Sequence, residues 1–351
     1  MLRMRVLGVI RLSAAAAAVA VVSGSAVPAH AASGGADAAT AKWHISYSHD
    51  YRGALSDAGY WTIVSAGGHD AWAFGGVGDS GPPVAAHAHD GHWKAVSLPS
   101  GSAGFVEAAS AVSARDIWAV TSAGDVLSWN GSKWRIAKAF NGQLTGVDAF
   151  SHGDVWLFGE SGLFLGAGTW HLHHGKWTKV TGIAANIAQA GAVSASDMWA
   201  VTLATPRTSP HNVLVHYNGS SWRRVRYSAP KGFGLASRYL VVAGRNNVWL
   251  LGSVGSTGWL LHLHAGHWSR KRAPIDLALS GAASDGHGGL WAAGSNASGS
   301  DFVYHLRSSG RWTAQKIDIH AIAAIPGSAA FLGSGIEVWK SHMDAAVWKI
   351  G

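Results

Sequence analysis

Apolar residues along this chain come in short runs separated by small and polar residues. VWLFG at 155–159, MWAV at 198–201 and VWLL at 248–251 are apolar at successive positions. Runs of this length, bounded by Gly, Asn, Asp and Ser, predict strands covered on both faces. Each is followed by another apolar run, such as VLSW at 126–129 or LVHY at 214–217. A turn comes next, and then a run that opens with tryptophan, such as WRIA at 134–137 or WRRV at 222–225. Asn130-Gly131 and Asn218-Gly219 are hairpin signals. The pattern predicts short antiparallel strands joined by tight turns.

The runs repeat. GGHDAWAFGG, SARDIWAVTS, SHGDVWLFGE, SASDMWAVTL, GRNNVWLLGS and GHGGLWAAGS are six versions of one segment, centred on Trp72, Trp118, Trp156, Trp199, Trp249 and Trp291. About twenty residues after each comes a second motif, DGHWKAV, NGSKWRIA, HGKWTKV, NGSSWRRV, AGHWSRK or SGRWTAQ. From Trp72 to Trp291 the period is close to 44 residues. Such a period, with several short strands in each, predicts propeller blades of strands a, b, c and d. Strand b carries the first tryptophan and strand d opens with the second. Both are expected to be wedges between blades. A seventh, degenerate repeat runs from AIAAIPGSAAFLGSG to AAVWKIG, with Phe331 standing for the strand b tryptophan and no strand d after it. The missing strand is expected from AKWHISY at 41–47, which has no a, b or c before it. Residues 43–351 number 309, which fits seven periods of about 44. The expected fold is therefore all-β: a seven-bladed β-propeller of four-stranded antiparallel blades, its last blade closed by the N-terminal strand. Closure removes exposed sheet edges.

These motifs resemble the tandem D-x-W-A-V-G … H-W-N-G-x-x-W repeats of secreted bacterial β-propellers, loosely related to the kelch and galactose-oxidase-like propellers. The resemblance covers residues 42–351, expected to form one domain. It implies the architecture and not an activity, because propellers host many functions.

The N-terminus changes the picture of where the chain works. Arg3, Arg5 and Arg11 flank an Ala/Val-rich run, and Ala29 and Ala31 complete an A-x-A pattern. Residues 1–31 are therefore read as a signal peptide and 32–41 as a disordered leader, making the protein secreted and extracellular. The chain has no cysteine, so its stability comes from packing without disulfides. No membrane span is expected.

Repeated polar residues invite a structural reading. Asp70, Asp116, Asp154 and Asp197 precede the strand b tryptophans by two residues, with Asn247 in the same place. They are expected to accept backbone N–H bonds at the a–b turn. His87, His171, His216 and His262 share one position on strand c, where Ser128 stands in another blade, and each is expected to bond within its own blade. H-x-H pairs suit metal ligation, HLHH at 171–174 best of all, but they lie in different blades. No metal and no cofactor is expected.

The formal charge is +8, of which Arg3, Arg5 and Arg11 account for three. Much of the remaining excess lies in WRRVRYSAPKG and WSRKRAP, both strand d segments. One reading is a patch for an anionic polymer. The preferred reading is protection of edge strands. Nucleic acid is not an expected partner, since no recognition motif is present.

There is no cysteine for a galactose-oxidase-like copper site, no S-x-D-x-G-x-x-W box, no G-x-S-x-G motif, and only three glutamates, Glu107, Glu160 and Glu337. The expected function is a binding module, acting as a monomer, for an extracellular glycan, an anionic cell-wall polymer or a protein. A cofactor-free carbohydrate hydrolase or lyase and a structural interaction scaffold are the alternatives, and no catalytic residues are assigned. The b–c loops vary in length while the strands beneath them do not, which is how a rigid scaffold carries recognition. Asp50, Tyr51, Arg52, Glu160, Arg207, His211 and Asp301 are expected to rim that face, with Tyr51 as the sugar-stacking platform.

Overall fold

The computed structural model describes residues 42–51, 58–78, 81–159, 166–203, 212–255, 257–273, 278–296, 299–338 and 343–351. The expected signal peptide and leader lie outside them. Seven four-stranded antiparallel sheets form the blades of a propeller. Blades 1 to 6 occupy 58–96, 106–139, 146–179, 187–224, 234–272 and 278–316, each built from four consecutive strands. Blade 7 takes its strands a, b and c from Ile319–Ala324, Phe331–Val338 and Met343–Ile350, and its strand d from His44–His49. The N-terminal strand thus closes the ring. It pairs His44 with Lys349 and His49 with Ala345, with a bulge between Ile45 and Tyr47.

The core is divided among seven clusters, one at each contact between adjacent blades. Their membership explains the tryptophan repeat. Strand b tryptophans of blades 1 to 6 face the following blade, and strand d tryptophans face the preceding one. Each contact at blades 1 to 6 therefore brings one of each kind together. Trp72 meets Trp134 edge to face at 5.2 Å, Trp156 meets Trp222 at 5.9 Å, and Trp291 meets Trp43 at 5.6 Å. The last pair puts the N-terminal strand in the same setting as strand d of blades 2 to 6. Such T-shaped pairs stabilise by about 0.5–1.5 kcal/mol beyond their buried area. Gln315 of blade 6 adds two bonds to the Trp43 backbone, accepting from N at 3.2 Å and donating to O at 3.4 Å. A Cβ at Gly333 would come within 2.7 Å of Ile319 Cδ1 and 3.2 Å of the Trp43 ring, so the Ile319 side chain would have to shift.

Blade 7 corrects one expectation. Phe331 does not face the following blade as the other strand b aromatics do. It packs toward blade 6, 5.9 Å from Trp291, and Leu332 faces blade 1 instead. A one-residue offset in a strand exchanges the two faces.

Strand a side chains tie neighbouring blades together around the axis. Gln189 in blade 4 both donates to and accepts from the Leu240 backbone in blade 5. Ser110 in blade 2 accepts from Ala149 N in blade 3, and Ser280 in blade 6 donates to Ile319 O in blade 7. No helix among the described residues is long and apolar enough to cross a membrane.

Candidate functional site

The disc has two chemically different faces. On the a–b and c–d side, a module of three residues recurs. His87, His171, His216, His262 and His305 on strand c lie against the strand b tryptophans of blades 1, 3, 4, 5 and 6, at 4.2, 4.1, 4.5, 3.5 and 4.0 Å. Each Nε2 bonds the residue at the a–b turn: Asp70 at 3.1 Å, Asp154 at 2.8 Å, Asp197 at 2.7 Å, Asn247 at 2.8 Å and Asp285 at 3.0 Å. Asp70, Asp154, Asp197 and Asn247 were expected to accept from turn N–H groups, and they accept from histidine instead. Asp285, which the repeat spacing did not include, also accepts from the backbone N–H groups of His287 and Gly289. The imidazole is thus fixed on one side by an indole face and at one nitrogen by an acceptor.

Blade 2 has Ser128 in place of the histidine, and the next blade supplies a substitute. His152, at the a–b turn of blade 3, reaches back over Trp118 at 5.5 Å and bonds Asp116 at 3.2 Å. Asp197 has a second partner, Arg245 Nε of blade 5 at 2.8 Å. The sequence reading missed His305 and Asp285 because blade 6 has longer a–b and c–d turns, which shift both out of the common spacing.

Burial lowers the pKa of His262 to about 4, helped by nearby His264, and burial also lowers that of His87 against the pull of Asp70. Both imidazoles are therefore neutral in the fold at pH 7. In the unfolded chain they take up protons at higher pH, near 6.5. Their contribution to stability is present above about pH 6.5 and is lost as pH falls below it, for His262 through about 4. Exposed His89 is shifted upward by Asp70 and works in the opposite sense. Thermal melts at pH 7.0 and 4.5 should show an acid loss in the wild type that is smaller in His262→Gln. An equal loss in both would contradict the assignment.

Asp154, His171 and His173 of blade 3 place their donor atoms within 4.8 Å of one another, and they are the set among the described residues compact enough to hold a metal ion.

On the opposite side, the b–c and d–a connections meet. The b–c connections span 159–169 in blade 3 and 203–212 in blade 4, but only 122–124 in blade 2 and 255–256 in blade 5. The a–b turns of blades 2 to 5, by contrast, are two residues each, at 114–115, 152–153, 195–196 and 245–246. Arg52, Glu160, Arg207 and His211 lie outside the described residues. Asp50 and Tyr51 follow the ring-closing strand directly. Asp301 opens strand c of blade 6, where its carboxylate accepts from Ser295 at 2.6 Å.

Tyr51 belongs to an aromatic corner where blade 7 meets blade 1. Its ring stands edge-on to His49 at 4.5 Å and to Tyr60 at 6.4 Å, and Tyr47 stacks on Trp93 at 6.0 Å. The Tyr51 hydroxyl bonds the Tyr60 hydroxyl at 2.9 Å and donates to Ala85 O at 3.3 Å. Burial pushes its pKa to about 12, and burial pushes Tyr60 higher still. Tyr51 also lines a shallow pocket of about 320 Å³ with Pro83, Val84 and the Ala95–Leu98 backbone run. Pro83 begins strand c and Val96 ends strand d, so the pocket opens on the b–c/d–a face. Tyr47 and Tyr60 were not singled out in the sequence, and Trp93 only as a wedge between blades, because their convergence depends on the ring closing.

No protein-family model matches the chain, and no curated protein matches it in sequence, so the kelch-like affiliation rests on the repeats alone. Solved structures do match in fold. YCF48 bound to a D1 peptide aligns with a TM-score of 0.59 at 11% identity, covering 88% of this chain and 96% of that one. A streptogramin B lyase aligns with a TM-score of 0.59 at 12% identity, covering 90% and 100%. The WD40 propeller domain of Doa1 aligns with a TM-score of 0.56 at 10% identity, covering 87% and 96%. At these identities the likeness is one of architecture, and it identifies the chain as a seven-bladed β-propeller.

Proposed function

We propose that the chain is a secreted binding propeller that holds an extracellular partner on the face where the b–c and d–a connections meet. The observation that carries this reading is the contrast between the faces. One is fixed by repeated tryptophan, histidine and carboxylate contacts. The other changes from blade to blade over the same strands, and it holds the aromatic corner around Tyr51. Variable connections on a rigid frame are where recognition resides in such folds. The proposed rim is Asp50, Tyr51, Arg52, Glu160, Arg207, His211 and Asp301, with Arg52 and Arg207 as planar forks for carboxylate or phosphate groups.

A similar fold, YCF48, is seen with a peptide, which supports a protein segment as partner. A glycan or cell-wall polymer would use the same arginines and aromatic corner. Purified cell walls, with and without prior protease treatment, separate these partners in a sedimentation assay. Tyr51→Ala with Arg52→Ala should weaken attachment about tenfold or more while the protein stays folded by thermal melt. Arg207→Ala tests the same face without touching the packed corner. Full attachment by all these variants would refute the reading. The repeat-wide carboxylates are engaged with histidine, so catalysis would fall to the others, Asp50, Asp79, Asp125, Asp148, Glu160 or Asp301. Release of new reducing ends or unsaturated sugars from the walls would show it.

A further inference from the structure

The outer strands of the seven blades carry charge of one sign. Strand d reads HWKAV in blade 1, WRIAKA in blade 2, KWTK in blade 3, WRR in blade 4, HWSRKR in blade 5, WTAQK in blade 6 and HISYSH in blade 7. Together they hold eleven Lys or Arg and no Asp or Glu, and all eleven cations are exposed. The chain has 19 carboxylates, and every one lies elsewhere. The belt is continuous where it is densest. Arg270 of blade 5 reaches the Ala229 carbonyl beyond blade 4, and Lys271 reaches the Gly310 carbonyl in the c–d turn of blade 6.

Edge protection, for which Lys is favoured, accounts for part of this charge, but it does not require that all 19 acidic residues be kept off all seven outer strands. A rim of cations alone attracts a polyanion and raises its local concentration.

The shape of the belt narrows the class. It runs around the convex edge of a disc. A DNA duplex, with a persistence length of about 50 nm, meets such an edge along a tangent and reaches only a blade or two. A flexible chain follows it. Single-stranded nucleic acid would also follow it, but that class binds through exposed rings on which bases stack. Here each tryptophan of an outer strand in blades 1 to 6 is turned into a blade contact and is buried or half-buried.

We propose that the rim is a docking surface for a flexible, linear anionic glycopolymer, with phosphodiester or carboxylate groups as the repeating charge. This surface is separate from the loop face, so either assignment can fail without the other.

The probe is purified poly(glycerol phosphate), with a DNA duplex, single-stranded DNA and neutral dextran alongside. Binding of the wild type should weaken about a hundredfold between about 50 and 200 mM salt if four charges are neutralised. The quadruple variant Arg223→Gln, Arg224→Gln, Arg270→Gln, Arg272→Gln should lose at least tenfold in affinity at low salt. It should keep the wild-type melting temperature. Arg115→Gln, at the a–b turn of blade 2 and away from both surfaces, should leave poly(glycerol phosphate) binding unchanged. Undiminished affinity in the quadruple variant overturns the proposal, as does self-association of that variant with affinity retained, which would mark the rim as edge protection. Tighter binding of either DNA than of poly(glycerol phosphate) overturns the assignment to a glycopolymer.

Discussion

Removing residues 42–49 should open the ring and lower the melting temperature by about 10 °C or more. This strand is the whole of strand d in blade 7, and without it the edge of Met343–Ile350 is exposed. Trp43 is 5% exposed and belongs to the cluster between blades 6 and 7. Losing a buried indole alone costs about 3–5 kcal/mol. In a domain of this size each kcal/mol is worth roughly 1–2 °C. The truncated protein should also self-associate through the freed edge, whose middle residues Ala345–Val347 are apolar and buried in the native ring. Trp43→Ala, which leaves the strand in place, should recover the monomeric behaviour but keep most of the thermal loss. Differential scanning calorimetry with light scattering reads both effects. A truncation that melts like the wild type would mean that the closing strand contributes nothing to the ring.

Asp197→Ala should cost about 2–4 kcal/mol, while Asp197→Asn should cost much less. A residue that only shaped its turn would be worth about 1 kcal/mol. Asp197 is instead a buried carboxylate, its side chain 3% exposed, accepting from His216 and from Arg245 of the next blade. Removing one member of such a group leaves its partners without their acceptor. Arg245 is 75% exposed and water replaces much of its loss, so the estimate stays at the lower end of that range. The asparagine variant keeps an acceptor for His216, as Asn247 does for His262 at 2.8 Å in blade 5. Urea denaturation of the two variants makes the comparison. Equal costs for Ala and Asn would show that the histidine acceptor is not what holds this turn.

Architecture was readable from the sequence because six blades repeat two tryptophans that do the same work. Burial between blades demands a large side chain at one place on strand b and one on strand d, and that demand recurs every 44 residues or so. Ring closure was readable for the same reason, since Trp43 lacked a blade of its own and blade 7 lacked a strand d. The partner of each repeated aspartate was not readable. Local spacing suggests a turn acceptor, and only the pairing of strand b with strand c brings the imidazole to the carboxylate. Phe331 misled because its motif spacing holds while its strand is offset by one residue. The one-signed rim was visible only in part, as two basic segments, because its extent appears when all seven outer strands are laid side by side. The aromatic corner around Tyr51 escaped because its members come from 47–51, Tyr60 and Trp93, which meet only across the closure.

Hydrogen–deuterium exchange of the whole chain, with and without purified cell walls, tests the binding-face assignment most directly. The account predicts slower exchange in the segments at 48–58, 159–169, 203–212 and 296–301, with the a–b and c–d turns unchanged. Slowing confined to the a–b and c–d turns, or to the outer strands with those four segments unaffected, would contradict it.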